Sequence, residues 1–305
     1  MSENLPNLFT TQFGTNLELK LQQMGSKLRG KTVEGFHVGK QAAPINQLTA
    51  IRAKRPAGRF APKDRTDADF VRRWVFPIDG EIDQLIDSFD ELKTIIDPKS
   101  MYLTNAANAV GRDWDDTLIT AATAAATIGT NVDALTTEAF DTTNHRIADT
   151  FGSSAASGLT VAKLIEARRI FRKNHVDLET DQVTLVIGSQ GESDLLNQVQ
   201  VVSTEFNDRP VLVDGRITRF LGFDIVYSER LPTYTTNTRG VLAFVKSGLY
   251  LGVWKDTMNR ASIRNDLSGE PWDLYTAWSM GATRTQAGKV LQIACLDSTG
   301  ADITP

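Results

Sequence analysis

The chain has 305 residues, with 33 Lys and Arg against 37 Asp and Glu for a net charge of −4, and is 41% hydrophobic and 23% charged. That is ordinary globular composition for about two average domains, which excludes a disordered or collagen-like chain. The lone cysteine, Cys295, excludes a disulfide-knitted fold and fits a reducing cytoplasm. No window approaches the ~18 consecutive apolar residues of a membrane span. The N-terminal Met1–Pro6 lacks the basic start and apolar run of a secretory signal, so the expectation is a chain with no membrane partner that stays where it is made.

The charge is uneven along the chain. From Lys20 to Arg73 there are thirteen Lys or Arg against four acids, a local net of +9, while Asp79 to Asp97 holds seven acids and one lysine, a net of −6. The basic block is densest from Arg52 to Arg73, where Pro56, Gly58 and Pro62 interrupt any helix or strand. It therefore reads as an extended loop or arm, of a length that inside compact domains usually serves function or stays disordered.

Asp97-Pro98 is a good helix opening, with Asp as cap and Pro in the first turn. Val110, Trp114, Leu118, Ala121, Ala125 and Ile128 then recur at three- and four-residue spacing along one face. The spacing predicts one long helix to about residue 128, roughly 45 Å if continuous. Gly111 weakens its middle by about 1 kcal/mol relative to Ala. The Ala-Thr run from Thr120 to Thr127 keeps one side slim enough for another backbone to approach.

Residues 129–158 read as a loop or strand-and-loop connection. A second helix opens at Thr160, and Val183–Ile187 is a buried strand. Ser189 with Glu192 forms a capping box before a third helix. This alternation indicates a small α/β unit. Val211–Val213, the Asp214-Gly215 turn and Ile217–Tyr227 read as a strand pair. In the last quarter Val241–Trp254, Ala261–Arg264, Leu274–Met280 and Val290–Leu296 look like four strands.

Chemistry is sparse. His37, His145 and His175 are far apart and unpaired at helical spacing, so no metal site or cofactor is expected. Gly188-Ser189-Gln190-Gly191, between a strand and a helix, has the placement of an anion-holding turn but is too short to be specific. No nucleophile elbow occurs, and Ser189, Ser193 and Cys295 have no base nearby in sequence. Carboxylates at 79, 81 and 83 alternate as on one side of a strand, more readily an exposed acidic edge than a paired-acid site. Phe60, Phe70 and Trp74 interleave with arginines as on a phosphate-tracking surface. The adjacent acidic segment would repel phosphates, and a simpler account lays the basic loop of one subunit on the acidic segment of its neighbour.

Asp97-Pro98-Lys99-Ser100-Met101-Tyr102, then Ala109-Val110-Gly111-Arg112-Asp113-Trp114-Asp115 and the alanine-rich helix, resemble the major capsid proteins of tailed bacteriophages. So do Gly158-Leu159-Thr160-Val161-Ala162-Lys163-Leu164, Leu221-Gly222-Phe223-Asp224-Ile225-Val226 and Gly281-Ala282-Thr283-Arg284, in order and spacing from about Val33 to Leu296. The resemblance implies an α+β, Hong Kong 97-like capsid fold. Its parts would be an N-terminal arm (1–33), an extended loop (34–78), a peripheral domain (79–150 and 232–305) with a spine helix near 98–128, and an α/β axial domain (151–231). It implies a non-enzymatic shell protein of the virion, assembled in the host cytoplasm as pentamers and hexamers that enclose double-stranded DNA without sequence-specific binding. Scaffolding protein, portal and decoration protein are the implied partners, the scaffold being separate or cleaved off earlier. On this reading Arg52, Lys54, Arg55, Arg59, Lys63 and Arg65 contact a neighbour's Asp79, Glu81, Asp83 and Asp87, and Trp114, Leu118, Ala122 and Ala125 pack the spine helix. An encapsulin-like nanocompartment and a free α/β enzyme are the alternatives.

Overall fold

The computed structural model describes residues 21–40, 42–55, 58–59, 65, 67–86, 99–198, 212–213, 216–235 and 237–297. Lys63, Asp87 and the Asp97-Pro98 helix opening lie outside them. After the segment 21–32 come β1 (Val33–Phe36), β2 (Ala42–Leu48), β3 (Phe70–Val75), β4 (Ile78–Ile86) and helix α1 (Lys99–Thr123). Next are β5 (Ala126–Gly129), β6 (Thr136–Glu138), β7 (Arg146–Ile147), α2 (Val161–Lys173), β8 (Val183–Ile187) and α3 (Ser189–Leu196). The chain continues through β9 (Leu212–Val213), β10 (Arg216–Ile217), β11 (Arg219–Phe220), β12 (Phe223–Tyr227) and β13 (Thr233–Thr235). It closes with β14 (Thr238–Val245), β15 (Leu249–Ile263), β16 (Trp272–Arg284) and β17 (Val290–Leu296).

Two sheets carry the cores. The larger has the order β11-β12-β8-β14-β17-β7, with β13 on β14, and the other runs β1-β15-β16-β4. In the larger sheet the period of two sends alternate side chains to different cores. Val241, Ala243 and Val245 of β14 join Leu164, Phe171 and Leu195 under α2 and α3. Leu242 and Phe244 join Val110, Trp114 and Leu118 of α1 on the opposite face. Strands covered on both sides bury every position, and all five residues of Val183–Ile187 are buried, with Thr184 the one polar residue among them. Because β14 and β17 hydrogen-bond into one sheet with β8 and β12, a division at residue 231 crosses a sheet, not a linker.

Helix α1 presents Val110, Trp114, Leu118 and Ala122, all at most 3% exposed, to Leu251, Val253 and Met280 of the second sheet. Burial of each large side chain stabilises by about 1.5–3 kcal/mol. The helix is shorter than its periodicity predicts. It stops at Thr123, so Ala125 is not a packing residue of the helix but an exposed residue beyond it. Thr127 and Ile128 instead pair with Trp74 and Arg73 of β3, an extended arrangement that β-branched residues favour.

Three other boundaries differ from expectation. Ile217–Tyr227 is not one strand: Leu221 (φ 50°) and Gly222 (φ 85°) turn it into the β11–β12 hairpin. Val241–Trp254 is cut by a short turn at Lys246–Gly248 that passes the chain from one sheet to the other. Ala261–Arg264 is mainly the end of the long strand β15, which pairs antiparallel with β16.

Helix α2 opens as predicted on Thr160, whose hydroxyl accepts from Lys163 N. It closes with His175 at φ 60°, His175 N donating to Arg172 O and Val176 N to Phe171 O, each at 3.0 Å. That is a Schellman closure with a side chain where glycine is preferred. We expect His175→Gly to stabilise the fold by about 0.5–1 kcal/mol, because the left-handed conformation penalises a Cβ. A rise in urea midpoint at unchanged slope checks it.

Candidate subunit interface

Helix α1 is the element on which the extended parts are mounted. Near its middle, the segment 21–32 crosses it. The Asp115 carboxylate, fully buried, accepts from Gln23 Nε2 and Ser26 Oγ at 2.5 Å, Lys27 N at 2.9 Å and Leu28 N at 3.1 Å. Arg112 donates to Gln22 Oε1 at 2.6 Å, and the Arg29 guanidinium lies 4.0 Å over the Trp114 ring. A Cβ on Gly111 would stand 2.5 Å from the carbonyl carbon of Gly25, so the glycine that weakens the helix is what lets the segment cross. Asp113 accepts from Trp278 Nε1 at 2.8 Å, and Asp116 pairs with Arg230. Every residue from Gly111 to Asp116 thus has a contact in the tertiary structure.

The C-terminal end of α1 holds the loop. Arg284 of β16, 0% exposed, donates Nη1 to Ala122 O at 3.1 Å and Ala124 O at 2.9 Å, taking carbonyls left over at the helix end. Burial holds the Arg284 guanidinium below its ordinary pKa, and the nearby Arg73 adds to that. Arg73 of β3 donates to Arg284 O at 3.2 Å and pairs with Glu138 at 2.7 Å. Trp74 Nε1 donates to Gly129 O at 3.0 Å, and Gln47 Nε2 to Thr285 O at 2.7 Å. The β2–β3 hairpin is therefore fixed at its base, and the described part of the projection between its strands is exposed throughout.

On that projection Arg52, Lys54, Arg55, Arg59 and Arg65 are exposed. Asp79, Glu81 and Asp83 are exposed along one side of β4, an edge strand of its sheet. No ion pair among the described residues joins Arg52, Arg55, Arg59 or Arg65 to these carboxylates. Glu81 accepts from Tyr275 Oη at 3.1 Å, and the Asp273 carboxyl beside Asp83 raises the pKa of Asp83. Sequence reasoning missed Asp115, Arg73, Glu138 and Arg284. The usable signal was an arginine closing an apolar strand and an acid inside an apolar helix stripe.

The candidate chemical groups have structural roles. Helix α3 is not opened by Ser189. Its cap is Gly188, and the Ser189 N–H donates to the Glu229 carboxylate, so the chain supplies its own anion there. Cys295 is 4% exposed and burial pushes its thiol up to about 12. The fully buried Lys163 donates to Ser157 O at 2.7 Å, Gly158 O at 2.9 Å and Ala294 O at 3.1 Å, tying the start of α2 to β17. No group of three or more His, Cys, Asp or Glu is arranged to hold a metal among the described residues. Among the same residues no helix is long and apolar enough to cross a membrane.

Helix α1 thus packs between two sheets and holds both the segment 21–32 and the base of the β2–β3 hairpin. The sequence profile described as "Phage capsid protein" matches residues 5–297, and the chain belongs to that family. The fold is similar to the capsid of the cyanophage P-SCSP1u (TM-score 0.73, 15% identity, covering 96% of this chain and 94% of that one). It is also similar to the capsid of cyanophage Pam1 (0.72, 10% identity, 96% and 97% covered) and to Mycobacterium phage Che8 (0.67, 15%, 97% and 99%). The fold is thus the α+β, Hong Kong 97-like capsid fold. No curated protein matches the sequence.

Two substitutions test the mounting of the arm and the loop. Gly111→Ala gains about 1 kcal/mol of helix propensity, but overlap with the Gly25 backbone costs about 1–3 kcal/mol. The net expectation is destabilisation, with faster tryptic cleavage at Lys27, Arg29 and Lys31. Arg284→Met leaves the Ala122 and Ala124 carbonyls unpaired and destabilises by about 3 kcal/mol. Denaturant titration reads the loss, and limited proteolysis within residues 49–69 reads the loosened hairpin.

Proposed function

We propose that this chain is a major capsid protein that assembles as pentamers and hexamers into an icosahedral shell around double-stranded DNA. The shell holds the DNA without reading its sequence and performs no catalysis. The observation that carries the reading is a pair of exposed surfaces of opposite charge, between which no ion pair of Arg52, Arg55, Arg59 or Arg65 with Asp79, Glu81 or Asp83 forms among the described residues. One is a cationic loop on a stem locked to α1, and the other is an exposed row of carboxylates on β4. In a shell the loop of one subunit lies on the acidic edge of the next, a complementarity that sets register and speeds association more than it adds affinity. Such contacts are heterologous and must close into rings, since a non-closing version would grow filaments.

On this reading the arm is 1–33 and the extended loop 34–78. The expected peripheral bounds (79–150 and 232–305) and axial bounds (151–231) divide the strands of the seven-stranded sheet, so we read the axial domain as that sheet with α2 and α3 and the peripheral domain as α1 with the other core sheet. Assembly takes place in the host cytoplasm, and scaffolding protein, portal and decoration protein complete the virion. The matched family and the similar structures are phage capsid proteins, which does not favour a nanocompartment; mass spectrometry of particle contents separates protein cargo from DNA.

Negative-stain microscopy of the purified chain tests the shell directly, with closed particles expected. The triple variant Arg52→Glu, Arg55→Glu, Arg59→Glu is expected to assemble poorly while its circular dichroism stays that of the parent. Normal particle yield from it would sink the electrostatic account of the loop.

A further inference from the structure

A cleft of about 460 Å³ lies between the outer side of α2 and the loop 143–151, lined among others by Arg146, Arg169, Lys173, Asn144 and Asn174. Its walls are preformed. Asp141 accepts from Thr143 N at 2.9 Å and Asn144 N at 3.1 Å, and Asn174 Nδ2 donates to Gly288 O at 3.2 Å. The one lining carboxylate, Glu166, is engaged by Arg169 through both oxygens. Arg146 is held by Gln292 and lies 4.7 Å over the Tyr234 ring. Among the described residues no carboxylate stands within ion-pair distance of Arg146 or Lys173. A protein of net charge −4 thus carries a concave site with two unmatched cations.

We propose that this cleft receives the acidic loop 177–181 of a second copy, as a ring contact between axial halves; the proposal rests on the shell reading above. A duplex is too broad to enter a cleft between one helix and one loop, whereas a single peptide segment fits. The loop carries Asp177, Glu179 and Asp181 within five residues. Its internal bonds, Glu179 N and Thr180 Oγ1 to Asp177, present a shaped turn with Glu179 exposed. The two surfaces are distinct, as a heterologous ring requires. The cleft flanks the β7 side of α2, while the loop enters β8 beside β12, where Gln182 Nε2 donates to Asp224 at 2.6 Å.

A charge swap tests it. Lys173→Glu with Arg146→Glu, and separately Glu179→Lys with Asp181→Lys, should each lower the yield of rings and particles at least about tenfold. All four together should restore it, with circular dichroism confirming folded subunits throughout. Loss without rescue in the combined variant, or full yield from either pair alone, overturns the contact. Wild-type protein that forms neither rings nor particles overturns the shell reading and this contact with it. If Lys173→Glu with Arg146→Glu abolishes retention of a short DNA duplex and leaves particle yield unchanged, the cleft belongs to phosphate and the proposal fails.

Discussion

Helix α1 ends on Arg284, and much of the molecule is arranged by what that buried cation requires. Two guanidinium groups, Arg284 and Arg73, lie close together with Glu138 as the carboxylate beside them. Such burial would be costly without further compensation. The compensation comes from the helix itself. Its terminal carbonyls carry the equivalent of roughly half a negative charge and need donors in any case. One arrangement satisfies a helix end, holds two cations, and brings β3, β6 and β16 to the same point.

Asp115 does the complementary work at the middle of the helix. Four donors from residues 23–28 converge on this carboxylate, so a segment with little regular structure is held by hydrogen bonds and the buried Leu28. Charged acceptors make the stronger hydrogen bonds, which suits a segment too short to build a core. The segment 21–32 and the β2–β3 hairpin are thus held at two points along one helix. In the proposed shell such mounting would matter, because closure into rings depends on the angle between neighbours.

The two halves are joined by shared strands, not by a linker. Consecutive residues of β14 serve two cores, so displacing that strand disturbs packing against both α1 and α2. The transfer at Lys246–Gly248 then carries the chain from the seven-stranded sheet into β15.

Period and composition made a large share of this legible. The α1 stripe at Val110, Trp114 and Leu118, the buried run at Val183–Ile187, the Thr160 cap and the alternating acids of β4 were all readable, because each depends on neighbours in sequence. The order of the motifs was enough to point to the capsid family. What stayed hidden depended on partners far along the chain. Alanine and threonine suit a helix at 124–127 until β3 offers a strand to pair with. Ser189 suits a cap until Glu229, forty residues away, supplies a better anion. Gly111 is a defect in an isolated helix and a necessity once Gly25 crosses it. Local spacing determined which elements form and which faces are apolar. The tertiary structure alone decided where they stop and which polar groups meet, because a buried charge or an unpaired carbonyl is satisfied by whatever the fold brings to it.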